Sequence, residues 1–137
     1  MQVTSPSQFK LAKSKAGDNA GLGLWFKGEA KKDDILVGYG GTVGTCDKEK
    51  GFYTVKCGVT NWCLNSTNLR KLTITQSSIY KYPLGHMINR PGTYRASNCY
   101  RFYQQSTGLL FAKAKKHIHS STKWTELVMA YNDRRVG

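Results

Sequence analysis

The sequence predicts a mostly-β fold built from short sheets, and three observations carry that prediction. Strand-forming residues gather in short runs such as "LGLWF" (22–26), "ILVGYGGTVG" (35–44) and "GLLFAKAKKHI" (108–118), rich in β-branched or aromatic side chains. Fourteen glycines punctuate these runs with turn chemistry. No heptad, internal repeat or low-complexity block competes with that pattern.

The elements follow in order. Residues 1–20 are polar and read as an extended lead-in holding one short strand at Phe9–Lys13. "LGLWF" is the next strand, and "KGEAKKDD" supplies a turn and a surface loop. "ILVGYGGTVG" reads as a second strand pair broken by glycines. "GFYTVKCGVTNWCL" (51–64) alternates loosely and predicts a hairpin with Gly58 in or near its turn. Residues 65–80 are polar and ambiguous. One or two short helices are expected, the first after Pro83 and stopped by Arg90-Pro91-Gly92. "SNCYRFYQQSTGLLFAKAKKHI" predicts a hairpin about residues 106–108, and "WTELVMAYND" follows a last turn.

At 137 residues the chain is expected to be one domain, spanning 1–137, large enough to bury roughly two thirds of its unfolded surface. Lys and Arg number 21 against 8 acids, a net charge of +13 that favours polyanionic partners, nucleic acid first among them. The same charge also serves plain solubility. Cys46, Cys57, Cys63 and Cys99 fit neither a paired C-x-x-C zinc site nor a redox C-x-x-C. With no apolar signal core in "MQVTSPSQFK", they read as four reduced thiols of an intracellular protein, in nucleus or cytoplasm. No metal-spaced cluster is evident, and His117 and His119, after a basic run, read as surface residues.

Gly21-x-Gly23 looks like the start of a phosphate-cradling loop, but the dinucleotide fingerprint would need its third glycine at Phe26, and no Lys-Ser or Lys-Thr follows. Three pieces in one order give another reading: "GLGLWFKGEAKKDDILVGYGG", "GHMINR…SNC" and "GLLFAKAKKHI…WTELVMAYN". Together they resemble the SET-domain protein-lysine methyltransferases, whose motifs run Gly-x-Gly, "YxG", "RFINHSCxPN" and "FAxRDIxxGEELxxxY". Gly21 and Gly23 match the opening pair, and Tyr39 and Gly41 match "YxG". Ile88-Asn89, Asn98-Cys99, Phe111-Ala112 and then Glu126, Leu127 and Tyr131 match the rest at workable spacing, over about residues 9–133. The departures are Arg90 for the usual histidine, His86 for the arginine, Pro91-Gly92 for Ser-Cys, Thr42 for an acid, and no cysteine-rich segment after Tyr131.

The resemblance implies a SET-like fold with a C-terminal pseudoknot that brings Tyr131 beside Asn89. It also implies transfer of a methyl group from S-adenosyl-L-methionine to a protein lysine, histone or not, without metal. Gly21, Leu22, Gly23, Leu24 and Trp25 would let the backbone approach the cofactor, while His86, Asn89 and Arg90 would hold its remainder. Tyr131 would orient the amine, and Tyr39, Tyr53 and Tyr131 would wall the lysine channel. Taken singly, Gly-x-Gly is equally a tight turn before a strand, Asn89 a helix-ending residue, and each tyrosine or Cys99 a packed core group. Lacking the closing segment, the chain would leave its channel open, close it from residues 1–20, or borrow a second subunit in a homodimer. The rival readings are a catalytically silent SET-like binding protein and a basic β-rich nucleic-acid-binding module stacking bases on Tyr100, Phe102 and Tyr103.

Overall fold

A computed structural model describes residues 6–48, 54–66, 84–119 and 122–137. Tyr53, the ambiguous segment beyond 66 and the expected helix start at Pro83 lie outside the described residues. Twelve short strands account for most of the regular structure: β1 (Phe9–Lys13), β2 (Leu22–Phe26), β3 (Glu29–Ala30), β4 (Ile35–Gly38), β5 (Thr42–Thr45), β6 (Thr54–Lys56), β7 (Trp62–Asn65), β8 (Cys99–Gln104), β9 (Leu109–Ala114), β10 (Ile118–His119), β11 (Thr125–Glu126) and β12 (Met129–Val136). The helical elements among these residues are single 3-10 turns, including Gly85–Met87 and Gly92–Tyr94. The helix expected before Asn89 is therefore one turn, since Arg90-Pro91 follows at once and denies it length.

The strands form four small sheets, ordered β1-β2-β11, β10-β3, β12-β8-β9-β4 and β5-β7-β6. β9 shows why they pack: Leu110, Ala112 and Ala114 are buried while Leu109, Phe111 and Lys113 turn away, the period of two that a half-buried strand requires. Its hairpin with β8 closes where Gly108, at φ +71°, donates to the carbonyl of Gln104. The β6–β7 hairpin also forms as its glycine signal predicts, with Gly58 at φ +60°. The pair expected in "ILVGYGGTVG" does not form: β4 pairs with β9, and β5 with β7. Loop residues 29–30, in turn, become a strand against β10.

Leu24, Phe26, Leu36, Val37, Cys99, Ala112 and Leu127 form the dry centre of the main core. The C-terminal segment is threaded into that core by both its flanks. Glu126 pairs with Trp25 of β2, and the Leu127 amide donates to the carbonyl of Leu24. Val128 then bridges Asn89, and β12 runs parallel to β8. This is the course that the expected pseudoknot demands.

The expectation of four reduced thiols also fails. Cys46 and Cys63 are disulfide-bonded, while Cys57 and Cys99 are free and buried. The cause is the β5–β7 register, which sets Gly44 opposite Cys63 and leaves the two Cα atoms 4.9 Å apart, inside the disulfide range. A reading of four reduced thiols no longer supports an intracellular setting. No helix among the described residues is long and apolar enough to cross a membrane.

Candidate active site

A cavity of about 570 Å³ opens between the loop after β1, the end of β4, β6, the segment 85–92 and the start of β12. Its walls carry five of the expected site residues: Tyr39, His86, Asn89, Arg90 and Tyr131. Asn89 and Tyr131 are 42 positions apart, and the bridge from Asn89 to Val128 is what brings them to one place.

Asn89 is committed on both its main chain and its side chain. Its carbonyl accepts from the Met129 amide at 2.9 Å, and its Nδ2 donates to Leu22 O at 3.0 Å and Ala20 O at 3.4 Å. It thus fastens the entry of β2 to the entry of β12. Arg90 lies with its guanidinium carbon 4.6 Å from the centroid of the Tyr131 ring, a cation–π arrangement. Tyr131 itself is 60% exposed. Its place in β12 explains this: the register with β8 breaks between Met129 and Arg134, and Tyr131 rides on the irregular stretch.

The inner wall is more apolar. Tyr39 is partly buried on the core, its hydroxyl 3.4 Å from Met129 Sδ. Burial pushes the Tyr39 phenol above its ordinary range, against the lowering effect of the Arg101 guanidinium, 5.6 Å from its ring centroid. Gly85 is required here, because a Cβ at that position would press on the Tyr39 ring.

Gly21, Leu22, Gly23, Leu24 and Trp25 do not line the cavity; Ala16, Asn19 and Ala20 of the preceding loop do. Gly21 closes the β1–β2 turn at φ +68°, its carbonyl accepting from the Ser14 amide at 2.8 Å. Leu22 is exposed, Leu24 is core, and Trp25 pairs across to Lys10 and Glu126. A Cβ on Gly23 would collide with the Glu126 carboxylate.

Glu126, to which sequence gave no role, lies outside the cavity lining but braces the segments around it. It is 3% exposed, and its carboxylate accepts from Ser14 Oγ at 2.6 Å, the Lys15 amide at 2.9 Å and Tyr94 Oη at 2.9 Å. Three hydrogen bonds are what a buried carboxylate needs. They lock the loop that carries Ala16 and Ala20 to the segment that carries Asn89 and Arg90. Arg101, Thr54 and Met129 are further cavity residues that sequence reasoning missed. The motif match singled out Glu126, but only the fold shows what it holds.

Whether the cavity suits the expected cofactor can be tested on its own polar atoms. Thr54 Oγ1 and Arg101 Nε are shut off from solvent with no hydrogen-bond partner among the described residues. Such atoms in a cavity wall favour a polar ligand. The volume falls in the range of about 300–1,000 Å³ usual for small-molecule sites. Among the described residues no carboxylate lines it and two arginines do, which suits a ligand carboxylate better than a ligand cation. The residues fit the group's carboxylate, with Arg90 and Arg101 the cations that oppose its sulfonium.

No family model matches the chain, and no curated protein matches it significantly. Solved structures do match. A Plasmodium falciparum protein described as a candidate histone methyltransferase superposes with a TM-score of 0.58 at 19% identity, covering 91% of this chain and 93% of that one. The methyltransferase domain of human PR domain-containing protein 2 superposes with a TM-score of 0.63 at 18% identity, covering 91% of this chain and 77% of that one.

The fold is SET-like.

Within a SET-like fold the β12-β8-β9-β4 and β5-β7-β6 sheets and the twice-anchored C-terminal segment have an evident use: they meet at the cavity that holds Asn89 and Tyr131. The aromatic platform expected for bases is differently placed. Tyr100 is 4% exposed, with its hydroxyl on Asp33 at 2.7 Å and Arg135 3.9 Å over its ring. Phe102 is covered by Lys113 at 3.8 Å.

Proposed function

We propose that the protein is an S-adenosyl-L-methionine-dependent methyltransferase acting on lysine side chains of proteins. The observation that supports this reading most is the meeting of Asn89, Arg90 and Tyr131 on one cavity within a SET-like fold. The cofactor, when bound, supplies a methyl group on a positively charged sulfur. Asn89, Arg90 and Arg101, with the loop bearing Asn19 and Ala20, would hold it.

The chain's own contribution is to the amine. Lysine has an unperturbed pKa of ~10.4, so only roughly 0.1% is neutral near physiological pH. Ile88, Val55, Met129 and the ring of Tyr39 give the cavity an apolar wall that disfavours the ammonium form. Tyr131, at the mouth, has a hydroxyl able to accept from the amine and fix its direction of attack, so that catalysis rests on alignment.

The cationic surface argues for a substrate segment less basic than a histone tail, since like charges raise the cost of encounter. Calorimetric titration with S-adenosylmethionine and S-adenosylhomocysteine tests the cofactor, and transfer of labelled methyl groups to lysine peptides tests the reaction. Saturable binding with transfer supports the reading. Binding without transfer identifies a silent relative, and no binding of either ligand at millimolar concentration overturns it. Tyr131→Phe is expected to lower turnover at least about tenfold while leaving cofactor affinity nearly unchanged, the pattern of an interaction made in the transition state.

A further inference from the structure

Away from the cavity, the β3–β10 pair gathers three donor side chains on one exposed surface. His119 stands directly opposite Glu29 in the antiparallel register, and Ile118 between the two histidines is buried at 4% exposure. Alternation along the chain therefore sends His117 and His119 to the same side, outward. His117 Nε2 lies 3.1 Å from Glu29 Oε1, and His119 Nδ1 lies 3.7 Å from Glu29 Oε2. One donor atom from each of the three residues falls within 4.8 Å of the others.

We propose that Glu29, His117 and His119 form a binding site for a divalent transition-metal ion of the zinc, nickel or copper class. Two imidazoles and a carboxylate are the donor set such ions take, whereas calcium or magnesium would require oxygen donors throughout. The spacing agrees. Donors about 2.0–2.1 Å from a tetrahedral ion lie roughly 3.3–3.4 Å from one another; each histidine already stands at about that distance from a Glu29 oxygen, and one donor from each residue falls within 4.8 Å of the others. Side chains exposed by half or more can turn to close the remaining distance at little cost. The site has three protein donors, which leaves coordination positions to water or to a donor on another molecule. None of the three residues lines the cavity, so the site stands apart from the proposed methyl transfer.

The ion also has a structural use. β3 and β10 have two residues each, paired in one short register with Ala30 and Ile118 in the core and Glu29 beside the two histidines. A metal bound across them would tie residue 29 to residue 119 and raise the stability of the folded chain by mass action.

The test is calorimetric titration of the full chain with zinc sulfate at pH 7.5, beside a His117→Asn/His119→Asn double variant and Glu29→Gln. Expected are one saturable site in the parent, at least about tenfold weaker binding in Glu29→Gln, and loss of the site in the double variant. Cobalt substitution reads the donors independently: ligand-field bands without thiolate charge transfer are expected, whereas thiolate bands would place the ion on cysteine. Parent protein that takes up no zinc below about 1 mM, or a double variant that binds as the parent does, would overturn the proposal.

Discussion

Gly23 and Glu126 form a lock-and-key pair in the middle of β2 and β11, where the missing side chain of one makes room for the carboxylate of the other. Gly23→Ala is therefore expected to displace Glu126 from Ser14 and Tyr94 and to destabilise the protein by about 2 kcal/mol, read from the urea midpoint at constant m-value. The second glycine of Gly-x-Gly was legible as special, but not its reason. A collision partner 103 residues away leaves no local signal. Arg90 makes the opposite case, a departure visible in sequence whose geometry follows from the fold. Its guanidinium over the Tyr131 ring puts a fixed positive charge on the cavity wall. Arg90→Ala is expected to strengthen binding of S-adenosylmethionine relative to S-adenosylhomocysteine by about 1 kcal/mol, since only the former bears the positive charge. Calorimetry of both ligands on both proteins measures the difference, and an unchanged ratio would remove Arg90 from the electrostatics of the site.

Two tyrosines tie elements together through carboxylates, the buried one of Glu126 and the exposed one of Asp33. Tyr94 joins the 3-10 turn Gly92–Tyr94 to Glu126, and Tyr100 joins β8 to Asp33 before β4. Burial, then the hydrogen bond to the carboxylate, pushes each phenol up to about 12. A phenol whose folded pKa exceeds its unfolded value near ~10 holds its proton longer in the native state. Stability is thus undiminished below about pH 10 and falls as pH rises from about 10 to about 12. Urea midpoints across that interval should drop in the parent and drop less in Tyr94→Phe and Tyr100→Phe. At this scale the sequence was most readable where pairing is local. The strand Phe9–Lys13 and the β6–β7 and β8–β9 hairpins carry their own turn residues. β3 and β10 have two residues each and are strands only because each finds the other across 88 positions, which no window of sequence contains. The Cys46–Cys63 bond was missed for the same reason, being set by strand register rather than by any spacing motif.

Charge acts on the molecule as a whole. With a net of +13, the protein repels basic peptides over roughly a Debye length, about 8 Å at physiological ionic strength. Among lysine peptides of equal length, turnover per encounter should favour those flanked by acidic residues, through the specificity constant and most strongly at low salt. A preference that is flat in salt would assign selectivity to the cavity instead. Cavity and surface were unequally legible: the motifs located Asn89 and Tyr131, whereas the loop residues Ala16, Asn19 and Ala20 joined them only through the folding of β1 onto β2.

The order in which the core is completed follows from where its last members lie. Leu127, Val128 and Met129 are buried against Leu24, Asn89 and Asn98, and the Asn98 side chain holds that segment from both ends, donating to Glu126 O and accepting from the Val128 amide. A chain that has grown only to residue 119 lacks Leu127, Val128 and Met129, and with them part of the cover of Leu24 and the rest of the core. Closure of loops about a hundred residues long is slow compared with hairpin formation. Native packing therefore waits for the arrival of residues 125–136, and until then the nascent chain presents unclosed apolar strands to whatever the cell holds around its ribosome.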